Sequence, residues 1–238
     1  MAKILEQASS FLQIKNISHG FFTRQGGVSS FPYDSLNQSL KVGDKDNLVL
    51  ENRNIALMNI GLLNKPLVIP DLVHKDNSLI FDEDLGPADG IITDKPVALG
   101  ITYADCLPIL FSSEDGQVIG AIHAGWRGII SEIIPKTIQK AHKRFGKVFI
   151  AAIGPHISVE GFIVNGPVLE LFSKYWPQFI VKESHVNLLG IAKVQLENSG
   201  IINIEKVGGF TDQDSKNYFS HRRDFNTGRH LAVIGKKS

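Results

Sequence analysis

The sequence predicts a single compact domain of the α/β (α+β) class, in which a layered, mixed β-sheet is flanked by helices. Short apolar runs typical of buried strands are interleaved with amphipathic segments typical of helices, but without the regular βαβ alternation of a parallel sheet. Glycine and proline are scattered as turn residues, and the sequence contains no repeat, low-complexity tract or Ser/Gly linker. We therefore expect residues 1–238 to form one domain.

The predicted strands are short runs rich in Val, Ile, Leu and Phe, mostly bounded by glycine, proline or charged residues. In chain order they are residues 20–24, 67–69, 97–103, 107–111, 118–123, 148–153 and 201–207. The segment that follows the last of these strands is expected to form turns.

Helices are predicted where apolar residues recur at helical spacing. The first, at 46–60, ends before Gly61. The second follows the turn at 124–128 and ends before Gly146, and Pro135 marks either a kink or the first turn of that helix. Two more helices are predicted, at 168–175 and 186–198.

Composition and charge argue against several classes of protein. The chain carries 25 basic and 24 acidic residues, a net charge of +1, so no overall attraction to nucleic acid or to an anionic membrane is expected. The first twenty residues lack the continuous apolar segment of a signal peptide, and charged residues interrupt the later apolar stretches. We expect a soluble, cytoplasmic protein. The basic residues at 221–223 and 229–230 are expected to pair with acidic neighbours or to line a phosphate pocket.

Cys106 is the single cysteine, so an intramolecular disulfide is excluded. Its thiol is either inert in the core or takes part in the chemistry of the protein. Cys106, His74 and His123 each lie at the end of a predicted strand or in the loop that follows it. Two imidazoles and a thiolate are the ligand set of a catalytic zinc site with an open fourth position. Because the three residues are 32 and 17 positions apart, only the fold, and not a local loop, could bring them together as ligands. The alternative is that both histidines are ordinary structural residues.

Two neighbouring features bear on the metal hypothesis. Asp105 lies next to Cys106 in an otherwise apolar segment, where a buried carboxylate needs a partner. It orients a histidine ligand, acts as a general acid or base, or is an exposed turn residue. The turn at 124–128 offers backbone N–H groups at a helix start, which suit an anion; alternatively it is a tight turn in which Trp126 packs.

The motifs around these residues resemble those of a known family. ADCLP at 104–108 and HAGWRG at 123–128, with FTRQGGVS at 22–29, are similar to the laccase-domain family, also called polyphenol-oxidase-like proteins or zinc-dependent purine nucleoside phosphorylases. The first two strings are specific together, whereas either alone is only suggestive. The resemblance covers nearly the whole chain, with further matches at 37, 42–44, 52–53, 153–155, 219–223 and 227–229.

The resemblance implies a zinc enzyme that acts on purine nucleosides. The family's zinc ligands match His74, Cys106 and His123. The implied reaction is phosphorolysis of adenosine, inosine, guanosine and methylthioadenosine, with deamination of adenosine in the same site. Copper is an alternative metal, because Cu²⁺ outranks Zn²⁺ in intrinsic affinity for such ligands.

The resemblance also implies residues that bind phosphate and transfer protons. The family's phosphate-side positions match Arg53 and Asn37, and more loosely Arg24. A guanidinium presents a planar fork of donors that suits a phosphate, although Arg53 alone would be an ordinary solvated helix charge. Asp105, or a histidine near the purine, would supply the leaving base with its proton.

Four positions depart from the family pattern. Leu72 stands where the family often has Gln two residues before its first ligand histidine, and His156 stands where the family has the Cys of a Gly-Pro-Cys string. Gly161 and Phe210 replace later cysteines that are not in the zinc set. The core site is therefore expected to survive, while the substrate preference stays open. His156 is either a new polar group at the site or an ordinary loop residue.

Two other functions are compatible with the sequence. A copper-dependent phenol oxidase is disfavoured because multicopper centres use many histidines, often as His-x-His pairs, and this chain has eight histidines and no such pair. A non-catalytic nucleoside-binding protein would bind nucleosides tightly without turnover. Bacterial members of the family have also been linked to peptidoglycan editing, which these residues do not test.

Overall fold

The computed structural model describes residues 3–84 and 86–237, and most of its strands belong to two mixed sheets. The strands are β1 (Leu5–Glu6), β2 (Ile17–Phe22), β3 (Leu67–Val68), β4 (Ser78–Ile80), β5 (Gly90–Thr93), β6 (Ala98–Tyr103), β7 (Leu107–Ser113), β8 (Ile119–Ala124), β9 (Phe149–Ile153), β10 (Ile180–Val181), β11 (His185–Val186), β12 (Ile204–Lys206) and β13 (His230–Lys236). The α-helices are α1 (Ser9–Leu12), α2 (Asp46–Asn59), α3 (Trp126–Ile130), α4 (Ile133–Phe145), α5 (Gly166–Tyr175), α6 (Leu188–Asn198) and α7 (His221–Asp224).

One sheet has five strands in the order β1-β2-β13-β6-β3, and the other has six in the order β12-β9-β7-β8-β5-β4. In the first sheet β3 runs parallel to β6, and the other pairs are antiparallel. In the second sheet the outer strands β12 and β4 run parallel to their neighbours, and the inner pairs are antiparallel. A separate hairpin pairs β10 with β11.

The two sheets pack face to face, with helices on both outer faces. Alternation along β7 shows this arrangement directly: Leu110 packs in the apolar layer between the sheets, while Ile109 and Phe111 face the helices α3–α6. On the other side, Ala56 and Leu57 of α2 pack against the five-stranded sheet. The predicted fold class, a layered mixed α/β domain flanked by helices, is confirmed.

Helix α4 begins where the chain takes a left-handed turn at Glu132, with φ of 63°. Pro135 is the third residue of α4, in the first turn, where a missing N–H costs no helical hydrogen bond. Gly146 ends the helix with φ of 62°, as its position in the sequence predicts. The first of the two readings of Pro135, a kink, is therefore wrong.

The C-terminal strand β13 is the main element that the sequence analysis misses, since turns were expected there. All of its residues are buried, and it pairs with β2 on one side and β6 on the other. It therefore lies in the middle of the five-stranded sheet. No helix among the described residues is long and apolar enough to cross a lipid bilayer.

Candidate functional site

Two connections that cross from one sheet to the other bring the three predicted metal ligands together. The β3–β4 connection carries His74, the β6–β7 connection carries Cys106, and His123 lies near the end of β8. Leu107 pairs with Ala124, so Cys106 lies beside the end of β8. The ligand atoms of the two histidines and the cysteine all lie within 4.8 Å of one another. The fold thus supplies the convergence that the sequence spacing requires.

A fully buried carboxylate, Asp89, holds this cluster, although no sequence motif marked it. Its Oδ1 forms a 2.8 Å hydrogen bond with Nδ1 of His123. The carboxylate also accepts hydrogen bonds from the backbone N–H groups of Val73, His74 and Lys75 at 3.2, 3.0 and 2.9 Å. Asp89 therefore fixes the ring of one candidate ligand and the backbone of another. The signal available in the sequence was an aspartate directly before a buried strand.

The electrostatics of the cluster favour a cation. Burial disfavours the charged form of His123, but the Cys106 thiolate and the Asp89 carboxylate outweigh burial and raise its pKa to about 9. The pKa of His74 is lowered, first by burial and then by the neighbouring His123. Burial would raise the pKa of Asp89, but its hydrogen bonds with His123 and the backbone lower it below the ordinary value. A thiolate and a carboxylate around two imidazoles give a site in which a metal ion can replace protons.

The donor set fits zinc. Because Nδ1 of His123 bonds to Asp89, Nε2 is the ring nitrogen available to a metal, as in the carboxylate–histidine–metal arrangement of many zinc proteins. Gly125 leaves space for the ion: a Cβ there would lie 3.2 Å from Sγ of Cys106 and 3.6 Å from Cε1 of His123. Within the part of the chain that the structure describes, His74, Cys106 and His123 are the one group of three or more His, Cys, Asp or Glu side chains suited to a metal.

Two cavities meet at this cluster, and His74, Ala104, Cys106 and His221 line both of them. The first, of about 330 Å³, is called here the aromatic cavity. Its other walls are Asp105, Trp126, Arg127, Ile157, Phe162, Leu188 and Arg222. The second, of about 310 Å³, is called the basic cavity. Its other walls are Ser39, Lys41, Val42, Leu72, Thr102, Tyr103, His123 and Arg229.

The aromatic cavity offers flat rings to a ligand. The guanidinium of Arg127 lies 4.2 Å from the ring centre of Trp126, and that of Arg222 lies 5.6 Å from the ring centre of Phe162. Aromatic rings and guanidinium planes both stack on flat heterocycles. The cavity therefore suits a planar, largely apolar ring such as a purine.

Asp105 is buried, and each of its carboxylate oxygens accepts a hydrogen bond, which excludes the reading as an exposed turn residue. Its Oδ1 accepts a 2.6 Å hydrogen bond from Oγ1 of Thr211, and its Oδ2 accepts one of 2.7 Å from the backbone N–H of Arg222. Its own backbone carbonyl accepts from the N–H of Ile157. The residue has a left-handed φ of 86°. Asp105 lines the aromatic cavity and ties the Cys106 connection to α7.

The three predicted phosphate residues lie in different places. Arg53 lines a groove of about 350 Å³ that adjoins the basic cavity, and its Nε and Nη2 donate to the carbonyl of Gln38. Asn37 is completely buried. Arg24 lines a separate pocket, where it pairs with Asp34. None of the three lines either cavity at the metal cluster.

The predicted basic segment at 229–230 divides between cavity and core. Arg229 lines the basic cavity, whereas His230 is completely buried at the start of β13. His221, from the other basic segment, lies at the junction of the two cavities. Arg222, from the same segment, lines the aromatic cavity. Three residues of the basic segments therefore line the candidate site.

A comparison with known families decides the classification. The sequence model of the family described as "Multi-copper polyphenol oxidoreductase laccase" matches residues 18–237. The chain belongs to this laccase family. The resemblance read from the sequence motifs is confirmed.

Relatives of the chain carry a different functional name. A Haemophilus influenzae purine nucleoside phosphorylase is 33% identical over 232 residues, covering 92% of this chain and 94% of the relative. The Escherichia coli purine nucleoside phosphorylase YfiH is 32% identical over 231 residues, covering 93% and 95%. Both relatives are thus named for phosphorolysis of purine nucleosides, and not for phenol oxidation.

Solved structures of the family share the fold. A Neisseria meningitidis protein aligns with a TM-score of 0.82 at 28% identity, covering 94% of this chain and 96% of that one. YlmD from Geobacillus stearothermophilus aligns with a TM-score of 0.84 at 27% identity, covering 97% and 94%.

The departures from the laccase-family pattern lie at and behind the site. Leu72 lines the basic cavity. His156 is buried, bonds through Nδ1 to the carbonyl of Gly154 at 2.7 Å, and packs edge-on against Phe210. It lines neither cavity, so it is a buried loop residue. At Gly161 an added Cβ would lie 2.3 Å from a carboxylate oxygen of Asp212.

Proposed function

We propose that the protein is a zinc-dependent purine nucleoside phosphorylase. The observation that carries this proposal is the position of the His74–Cys106–His123 cluster between an aromatic cavity and a basic cavity. A nucleoside and phosphate need such a pair of environments on either side of the reacting sugar carbon. The names of the relatives at about 30% identity support the same substrate class.

The purine is proposed to bind in the aromatic cavity. Trp126 and Phe162 offer ring faces there, and Ile157 and Leu188 exclude water from the apolar edge of the base. The ribose would then lie beside the metal ligands, and phosphate would approach from the basic cavity. Adenosine, inosine, guanosine and methylthioadenosine share the purine ring, so all four are proposed substrates. Arg53, the sequence-based phosphate candidate nearest the basic cavity, is retained in this proposal.

The reaction joins a phosphate oxygen to C1′ of the ribose and breaks the C1′–N9 bond, whose electron pair leaves with the purine. A bound zinc ion would supply Lewis acidity and positive charge beside this bond. The departing purine needs a proton. His221 lines both cavities, and its Nδ1 lies 2.8 Å from the carbonyl of Phe225, so its Nε2 is the ring atom available to hold that proton. Asp105 remains the second candidate, although hydrogen bonds already occupy both of its oxygens.

Deamination of adenosine is proposed as a second reaction of the same site. Water replaces phosphate as the nucleophile, forms a bond to C6 of the adenine and releases ammonia. We also propose a cytoplasmic location, because the Cys106 thiol must stay reduced to bind metal.

The test uses zinc-loaded protein with inosine or adenosine, with and without phosphate. We expect hypoxanthine or adenine to be released together with ribose 1-phosphate, and base release to depend on phosphate. Cys106→Ala should abolish it, while His185→Ala, which changes a hairpin histidine that lines neither cavity, should not. Ammonia release from adenosine without phosphate would show the second reaction. Undiminished turnover by Cys106→Ala, or no base release by the zinc-loaded protein, would refute the proposal.

Copper-dependent phenol oxidation is the second candidate, because two imidazoles and a thiolate also bind copper. Metal analysis of protein produced without added copper separates the two. Zinc in the isolated protein, with phenol oxidation appearing only in proportion to added copper, would favour the phosphorylase. Stoichiometric copper and oxidation without supplementation would favour the oxidase.

A further inference from the structure

The basic cavity contains a guanidinium with unused donors. Arg229 is partly buried, and burial lowers the pKa of its guanidinium below the ordinary value. Its Nη1 donates to the backbone carbonyls of Thr227 and Gly228 at 2.8 and 3.0 Å. Among the described residues, Nε and Nη2 have no hydrogen-bond partner, and no carboxylate forms an ion pair with this side chain. A desolvated guanidinium that faces a cavity with free N–H donors is suited to bind an anion.

The backbone of Arg229 is held by Asn37. The side-chain Oδ1 of Asn37 accepts from the N–H groups of Arg229 and Ser39 at 2.9 and 3.1 Å. Its Nδ2 donates to the carbonyl of Ser39 and to Oδ2 of Asp44 at 3.1 and 2.9 Å. These four bonds use the full capacity of an amide side chain, so Asn37 has no group left for a ligand. Its contribution to the basic cavity is to join the Ser39 loop to Arg229.

Other cations near the site are less suited to this role. Lys41 pairs with Asp71 at the mouth of the basic cavity. Arg53 lines the adjoining groove and not the basic cavity, and its Nε and Nη2 donate to one backbone carbonyl. Arg127 is exposed and lies over an aromatic ring on the other side of the cluster.

We propose that Arg229 binds the inorganic phosphate of the reaction from the basic cavity and that Asn37 positions it. This inference rests on the proposed function, since it assigns the phosphate subsite of a phosphorylase. Phosphate held at Arg229 and a purine held in the aromatic cavity would lie on opposite sides of the metal cluster. Such a placement separates the attacking oxygen from the leaving base.

The test compares steady-state kinetics and phosphate binding for four proteins: wild type, Arg229→Gln, Arg229→Lys and Arg53→Gln. Arg144→Gln, which changes a surface arginine paired with Glu83, is the matched control. Loss of a charged hydrogen-bonding partner should raise the KM for phosphate by about 10- to 100-fold in Arg229→Gln, with a smaller change in the KM for inosine. Arg229→Lys should recover part of the affinity, since it restores the charge without the planar fork.

A second measurement does not depend on turnover. Inorganic phosphate should raise the Tm of wild type and of Arg144→Gln but not that of Arg229→Gln, because a ligand stabilises only a state that binds it. Circular dichroism verifies that each variant is folded.

The outcomes separate the two proposals. If wild type is a phosphorylase and Arg229→Gln keeps its phosphate KM, Arg229 is not the phosphate residue; a raised KM in Arg53→Gln would then assign that role to Arg53. If wild type releases no base but phosphate stabilises it through Arg229, the anion site stands and the phosphorylase proposal falls. If wild type neither releases base nor is stabilised by phosphate, both are refuted.

Discussion

Replacing Asp89 by Asn tests whether this buried carboxylate assembles the metal cluster. The substitution keeps size and shape but turns one acceptor oxygen into an NH₂ donor. In the wild type, Oδ1 bonds to the N–H of His74 and to Nδ1 of His123, while Oδ2 accepts from the N–H groups of Val73 and Lys75. If the NH₂ group takes the place of Oδ2, the N–H groups of Val73 and Lys75 lose their acceptor. If it takes the place of Oδ1, the N–H of His74 loses its acceptor, and Nδ1 of His123 can bond to the amide only after its proton has moved to Nε2, the nitrogen needed for the metal.

The expected cost follows from these bonds. A donor left without an acceptor costs about 1–3 kcal/mol when it is buried, so the one or two part-buried donors orphaned by Asp89→Asn should lower the free energy of unfolding by about 1–6 kcal/mol. Partial relaxation of the 73–75 loop favours the lower part of that range. Loss of the carboxylate that orients a histidine ligand should also weaken zinc binding about 10- to 100-fold. Asp89→Asn should therefore lower both the zinc affinity and the stability of the protein.

Two assays measure these effects: competition with a chromogenic chelator for zinc affinity, and urea unfolding of the metal-free protein for stability. Asp115→Asn is the matched control, because Asp115 also accepts from a hydroxyl and a backbone N–H but lies in the β7–β8 turn. The control should lose stability and keep its zinc affinity. Wild-type zinc affinity in folded Asp89→Asn would show that the carboxylate does not position the ligands.

Three further predictions concern single positions. Gly125→Ala should lower zinc affinity several-fold in a chelator competition, because the new Cβ would lie 3.2 Å from Sγ of Cys106. The metal-free fold should stay intact, since the φ of −72° at this position is compatible with Ala. Unchanged zinc affinity would contradict this prediction. Gly27→Ala should lower the urea unfolding free energy by about 1–3 kcal/mol, since its Cβ would lie 2.3 Å from the carbonyl oxygen of Ser35; wild-type stability would contradict it. Burial lowers the pKa of His156 to about 4, so the unfolded chain binds its proton first and stability falls as pH drops from 6.5 towards 4. Between pH 7 and pH 5 the free energy of unfolding should fall by about 2 kcal/mol more in the wild type than in His156→Cys. Equal losses in the two proteins would contradict a lowered pKa of His156.

The part of the fold that carries the site was predictable because its strands are continuous apolar runs. The predicted strands 97–103, 107–111 and 118–123 correspond closely to β6, β7 and β8. Since Cys106 and His123 lie at the ends of these strands, their placement followed from local sequence. His74 lies in a loop between two short strands, and its convergence with them depends on the packing of the sheets.

The elements that were missed depend on contacts far apart in the sequence. Strand β13 is buried because β2 and β6 pair with it from both sides, and those partners lie more than 100 residues upstream. The seven residues of β13 directly follow a Gly-containing turn and were assigned to it, although residues 231–234 are themselves a short apolar run. The alternating pattern of β2 and β6 predicts that these segments are strands, but not which strand pairs between them.

In the candidate site, too, some residues could be predicted from local sequence and others only from the fold. The metal ligands are a thiol and two imidazoles at the ends of apolar segments, so they can be recognised in the sequence as candidate ligands. Asp89 and Asn37 are ordinary turn residues by sequence, and their roles come only from the donors that surround them in the fold. Arg53 and Arg229 are indistinguishable as arginines until the structure shows that Arg229 lines a cavity at the metal cluster, whereas Arg53 lines the adjoining groove.

The two-sheet architecture explains why the candidate ligands are so far apart in the sequence. His74 and Cys106 lie on connections that leave the five-stranded sheet and enter the six-stranded sheet, while His123 belongs to the six-stranded sheet itself. The distances among the three ligands therefore depend on how the sheets stack. Asp89, at the start of β5, bonds to the His74 connection and to the ring of His123, and so fixes one connection to the six-stranded sheet without help from a metal. Hydrogen bonds to a buried carboxylate thus fix the ring of His123 and the backbone of the exposed His74, and an ion that binds there uses a geometry that folding has established for these two ligands.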